Sequence, residues 1–212
     1  MRHLFYPLAI ATLLGFFAIL VNYPEKAIVQ IDQQAAELLG GQKLLDSMSI
    51  IGEPWMIAGV SLALLVYLWL FRKNYRGMLF VFLAVGLGNV LNQLMKEWFE
   101  RPRPDLQHGL ESFSFPSNHA MVGLLYLFTL AYFLSEASTS RKIKAIIWLA
   151  AVALSVLVAL SRVAGGEHYF SDITAGLFAG YAWFVAIAVW YELRERQFRK
   201  RAAEREKEEF PE

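Results

Sequence analysis

The chain contains no cysteine. Disulfide bridges and thiolate metal centres are therefore excluded, and the sequence carries no signature of a redox compartment. Charge is also scarce: Asp, Glu, Lys and Arg make up 18% of the 212 residues and nearly cancel, at a formal net charge of +1. No internal repeat or low-complexity stretch is present, and no nucleic-acid partner is expected. What fills the chain instead is apolar. Hydrophobic residues reach 57% and the mean hydropathy is +0.39, a composition that points to a membrane protein rather than a soluble domain.

Six apolar runs are long enough to approach a bilayer crossing, which takes about 20 helical residues: 4–21, 54–71, 77–99, 117–134, 143–161 and 170–191. The first follows Met1, Arg2 and His3 and resembles a signal peptide. It is long for one, however, and no small-x-small cleavage pattern follows, so it reads as a retained first transmembrane helix. Any single run could be a buried helix of a soluble protein; six in close succession argue for an all-α integral membrane bundle. The segments between the runs alternate in charge. Arg2, then Arg72, Lys73 and Arg76, then Arg141, Lys142 and Lys144, then the cations after residue 191 all fall on one side. The positive-inside rule assigns that side, with both termini, to the cytoplasm. Two parts follow: a six-helix membrane domain over 1–191 and a charged cytoplasmic tail over 192–212.

The opposite, extracytoplasmic side carries residues 22–53, 100–116 and 162–169. Near 25–40, Ile28, Ile31, Ala35 and Leu38 recur at helical spacing between Gln30, Gln33, Gln34 and Glu37. This predicts an amphipathic helix, either packed on the bundle as an ordinary loop helix or lying as a rim over a site. Gly40 and Gly41 supply its stop.

The same side gathers the polar residues that topology does not explain. Three blocks stand out: Lys96 through Arg101, Pro102, Arg103 and Pro104; Pro116, Ser117, Asn118 and His119; and Ser161 and Arg162 through Glu167, His168 and Asp172. Polar groups at a membrane are costly and persist where they have partners or work. Cations with histidines suggest a phosphate that is held and attacked. Lys96, Arg103 and Arg162 supply charge, arginine's planar fork matching phosphate oxygens. The flanking prolines stiffen the backbone around Arg103, whereas Arg101 is either a fourth cation or a solvated rim residue. Ser117 is expected to cap the helix that starts there and to offer its hydroxyl to the phosphate. His168 and Asp172, four apart, share a face if helical; the carboxylate then orients one ring nitrogen and leaves the other free to attack. His119 is the candidate general acid for the leaving oxygen. Two histidines and Asp172 could instead bind zinc, but the surrounding cations would repel a divalent ion, so no metal is expected.

In their joint spacing these blocks resemble the type 2 phosphatidic acid phosphatase superfamily. Its pattern is lysine, six residues, Arg-Pro; then Pro-Ser-Gly-His; then Ser-Arg, five residues, His, three residues, Asp. Lys96, Arg103 and Pro104 match the first element, Pro116, Ser117 and His119 the second, and Ser161, Arg162, His168 and Asp172 the third. The resemblance implies a lipid phosphatase without cofactor that works through a phosphohistidine. By it His168 is the nucleophile, Asp172 its orienting partner and His119 the acid, while Lys96, Arg103, Ser117 and Arg162 bind phosphate. Asn118 stands where the family has glycine, as a possible secondary site residue. Among substrates, phosphatidylglycerophosphate comes first and undecaprenyl pyrophosphate second. A non-catalytic lipid-phosphate binder or transporter, a vanadate-dependent haloperoxidase and a sugar-phosphate phosphatase are the competing readings. Glu167 has no role at this level.

Overall fold

The computed structural model describes residues 2–104 and 112–209. These form nine α-helices and no strand: α1 Arg2–Asn22, α2 Lys26–Leu39, α3 Lys43–Asp46, α4 Pro54–Leu70, α5 Tyr75–Val81, α6 Leu87–Phe99, α7 Asn118–Ala137, α8 Arg141–Ala164 and α9 Phe170–Glu209. A 3-10 turn, Ser47–Gly52, leads into α4, and a π-turn, Phe82–Gly86, joins α5 to α6. Five helical segments are long and apolar enough to cross a membrane: Phe5–Asn22, Tyr75–Phe99, Asn118–Ala137, Arg141–Ala164 and Phe170–Phe198. A sixth is completed when Lys43–Gly52 and Pro54–Leu70, bent by 44°, count as one span. By itself α4 has 17 residues, about 26 Å at 1.5 Å per residue, somewhat short of a hydrocarbon core of about 30 Å.

The centre of the bundle is α7, which packs against α4, α6, α8 and α9. Its buried residues, Met121, Val122, Leu124, Leu125 and Phe128 among them, lie all round its axis, as expected of a core helix. On its α9 side the backbones come together at two glycines. A Cβ at Gly176 would stand 2.8 Å from Ser117 O, and one at Gly180 would stand 2.9 Å from Met121 O. Small residues one turn apart are what close packing of membrane helices requires. The contact lays the start of α9 beside the start of α7, and Ser117 N donates to Asp172 O at 3.2 Å.

Helix ends follow local chemistry. Pro54 opens α4, and the Asn74 side chain caps α5 by accepting from Gly77 N. After α6 the chain turns at Glu100, whose φ is +47°, and Pro102 and Pro104 keep it out of a helix. The amphipathic α2 ends as its sequence indicates, with Gly41 at φ +74° and its N–H donating to Ala164 O at 3.1 Å. The last helix runs unbroken from Phe170 to Glu209, so the charged segment continues the final span as helix; its residues 210–212 lie outside the described chain, as does 105–111 of the expected outer loop.

Candidate active site

Block three sits at the junction of α8 and α9. The α8 helix ends at Ala164, Gly166 turns the chain with φ +72°, and His168 precedes the first residue of α9. His168 and Asp172 therefore meet across a helix start, and not along one helix face as their spacing suggested. Nδ1 of His168 lies 3.4 Å from Asp172 Oδ2, which also accepts from Tyr169 N at 3.0 Å. Both side chains are buried. The other ring nitrogen, Nε2, faces Arg103 Nη1 at 3.2 Å. Burial pushes the His168 imidazole down to about 4, helped by Lys96 and Arg103 and opposed by its bond to Asp172. At neutral pH the ring is thus uncharged, and its Nε2 lone pair faces the Arg103 guanidinium.

Arg103 is fixed by more than prolines. Its Nε and Nη2 donate to Ser112 O and Oγ at 2.8 and 2.9 Å, and Nη1 donates to Glu167 O at 3.0 Å. Burial lowers its affinity for the proton. Arg162, on the last turn of α8, is ion-paired with the Glu167 carboxylate, which also lies 3.9 Å from Arg103 Nη1. Glu167 thereby acquires the role that its sequence position did not reveal: it is the counter-ion of two guanidinium groups. Lys96, buried on α6, donates to Phe113 O.

Block two is clamped in the interior. The Phe115 ring is fully buried and has Phe16, Tyr23 and Phe99 rings within 5.8 Å. Asn92 of α6 donates to Pro116 O at 3.3 Å. Ser117 occupies the N-cap position of α7, but its side chain makes no capping bond, which corrects that part of the expectation. Its Oγ is buried without a hydrogen-bond partner in the protein and so remains free for a ligand. His119 Nε2 is likewise unpartnered; Glu53 Oε1 stands 3.5 Å away without hydrogen-bond alignment. Asn118 is the first residue of α7, and the described non-glycine residues with positive φ are Lys73 and Glu100. An asparagine at this point therefore demands no left-handed backbone.

Arg101 is neither a phosphate-facing cation nor a solvated rim residue. It is 6% exposed and bridges two carboxylates, donating to Asp172 Oδ1 at 2.6 Å and to Asp32 Oδ2 at 3.0 Å. Its guanidinium lies over the Tyr169 ring at 4.1 Å and the Tyr23 ring at 4.6 Å. Asp32, on α2, also accepts from Ser171 N and Ser171 Oγ, both at 2.7 Å. A buried chain runs Asp32, Arg101, Asp172, His168. Asp32 was legible in principle, because it interrupts the apolar face formed by Ile28, Ala35 and Leu39, where an unpaired carboxylate is costly.

The arrangement brings together an oriented imidazole whose second nitrogen faces a guanidinium, three cations, a free hydroxyl and a second histidine. Among the described residues, no group of three or more His, Asp or Glu side chains converges as a metal site. Comparison with known proteins agrees in family. The profile of the PAP2 superfamily matches residues 77–196, a stretch that holds all three blocks. The chain is 35% identical over 138 residues to phosphatidylglycerophosphatase B of Bacillus subtilis (strain 168), a match covering 63% of this chain and 66% of that protein, just under two thirds of its length. Its fold is similar to the crystal structure of the first transmembrane PAP2 type phosphatidylglycerolphosphate phosphatase from Bacillus subtilis, with a TM-score of 0.78 at 26% identity over 87% of this chain and 96% of that one. With more than half of the sequence under the family's profile and the motif residues gathered around one imidazole, this multi-pass membrane protein belongs to the PAP2 superfamily.

Proposed function

We propose that the protein is a membrane lipid phosphatase that converts phosphatidylglycerophosphate to phosphatidylglycerol through a phosphohistidine at His168, without a metal. The observation that carries the reading is the His168 ring, bonded to Asp172 through Nδ1 and open toward Arg103 through Nε2. Lys96, Arg103 and Arg162 neutralise the phosphate, and Ser117 Oγ donates to it. An arriving phosphate competes with the Glu167 carboxylate for the two arginines. Nε2 of His168 attacks phosphorus, the ester P–O bond breaks, and His119 gives its proton to the departing lipid oxygen. Water then attacks the phosphohistidine, His119 accepts the water proton, the P–N bond breaks, and inorganic phosphate leaves. Arg101 and Asp32 hold Asp172 in place behind the nucleophile. The distribution of Lys and Arg supports an orientation with both termini cytoplasmic and the site on the extracytoplasmic face.

The test is phosphate release by purified protein in detergent containing EDTA, with His168→Ala as the blank. Release from phosphatidylglycerophosphate that vanishes in a folded His168→Ala variant supports the reading. Equal release in the blank removes His168 from the mechanism, and loss of activity in EDTA, restored by a metal, overturns the metal-free chemistry.

A further inference from the structure

Asn118 belongs to a second neighbourhood. With Ser61 of α4 and Asn89 and Gln93 of α6, it lines a cavity of about 420 Å³, whose wall includes the π-turn residues Phe82, Val85 and Gly86. The described residues around this cavity are uncharged, although Lys96 stands on the same helix, one turn beyond Gln93. Asn118 Oδ1 and Ser61 Oγ are buried and have no hydrogen-bond partner in the protein. Asn89 and Gln93 are exposed and one turn apart, so their amides share a helix face. Asn89, Gln93 and Asn118 all lie in segments apolar enough to span a membrane.

In a bilayer an amide without a partner costs several kcal/mol in principle, and helices seldom carry two of them on a lipid-facing wall. Three amides and a hydroxyl around one cavity, two of these groups buried without a partner, call for a polar occupant. The absence of charge among its lining residues decides which kind. An anion belongs with the cations at His168; this cavity fits neutral hydrogen-bonding groups. Amides both donate and accept, so they suit ester carbonyls, which only accept, and hydroxyls, which do both. The π-turn widens the helix at the cavity wall, a distortion that recurs at functional sites.

We propose that this cavity seats the neutral polar part of a glycerolipid, its ester carbonyls or glycerol hydroxyls, while the phosphate occupies the cationic site. This rests on the lipid phosphatase reading above and deepens it. A polyprenyl diphosphate has no ester carbonyl or alcohol hydroxyl to place there, so the cavity is a device for preferring glycerolipids.

The experiment compares wild type with an Asn89→Leu/Gln93→Leu variant, in one detergent with EDTA. Phosphatidylglycerophosphate and farnesyl diphosphate are the two substrates. The double variant should lose about tenfold or more in kcat/KM on phosphatidylglycerophosphate, the cost of two hydrogen bonds. Its rate on farnesyl diphosphate should stay within about twofold, which also shows that the variant folds. No loss on the glycerolipid, or equal loss on both substrates, overturns the inference and leaves the phosphatase reading standing. Wild type that releases phosphate from neither substrate removes the reading itself, and the inference with it. If the double variant does not accumulate, the single Asn89→Leu and Gln93→Leu variants are read by the same ratio.

Discussion

The state of the His168 ring decides whether the site can act as a nucleophile at ordinary pH. Burial and two nearby cations press its proton affinity down to about 4, against about 6.5 for an exposed histidine. Because the folded value lies below the unfolded one, the unfolded chain binds the extra proton between the two. Stability is level above about 6.5 and declines as pH falls toward 4. In a histidine-labelled sample, the NMR resonance assigned by its disappearance in His168→Ala should titrate near 4; a midpoint near 6.5 would contradict the buried, cation-flanked ring. The relay behind it makes a second prediction. Asp32→Asn keeps the shape but weakens the pairing with Arg101, and so loosens Asp172. We expect kcat to fall on the order of 10- to 100-fold, the range for groups that orient a reactive side chain through another, with KM little changed. An unchanged kcat with only a lower melting temperature would place Asp32 in a purely structural role.

Helix α9 owes its position to small residues. Adding one methyl at Gly176 drives it into the Ser117 carbonyl, a contact that backbone cannot easily yield. Gly176→Ala should therefore destabilise the bundle by about 1–3 kcal/mol and displace Ser117. A thermal melt in detergent reads the first effect, and phosphate release reads the second. A variant with an unchanged melt would mean that the two helices separate at little cost. The apolar runs were enough to locate the long helices, and the cations between them to propose their orientation, because both signals are local in the chain. The site was legible only where its spacing is fixed, as in Lys96 to Arg103 or His168 to Asp172. Arg101 could not be separated from Arg103 by sequence, since its partner Asp32 lies 69 residues away. The Gly176 and Gly180 packing escaped notice because it depends on which helix lies opposite. The π-turn inside the third span gave no sign, its residues being as apolar as their neighbours.

As a membrane protein without cysteine, the chain is a ready background for single-cysteine labelling. Lys26 precedes the site-facing part of α2, and Lys73 lies between α4 and α5; both are exposed. If the orientation read from the cations holds, an impermeant maleimide labels Lys26→Cys in intact cells and Lys73→Cys only after permeabilisation. The reverse pattern would turn the site to face the cytoplasm.

The length of α9 carries a further consequence. Near its middle, Trp190 has the Arg194 guanidinium over its ring at 6.0 Å, and within about the next two turns Arg76 pairs with Glu195 and lies over the Phe198 ring at 3.7 Å. Aromatic rings with cations are interfacial anchors. From Trp190 back to Asp172 the helix rises about 27 Å, close to the thickness of the hydrocarbon layer. The helix is thus a depth gauge. On the proposed reading, its aromatic rings moor it at one interface and set how deep Asp172 and His168 sit at the opposite edge of the hydrocarbon layer, so a bilayer of different thickness would change the reach of a lipid phosphate to His168.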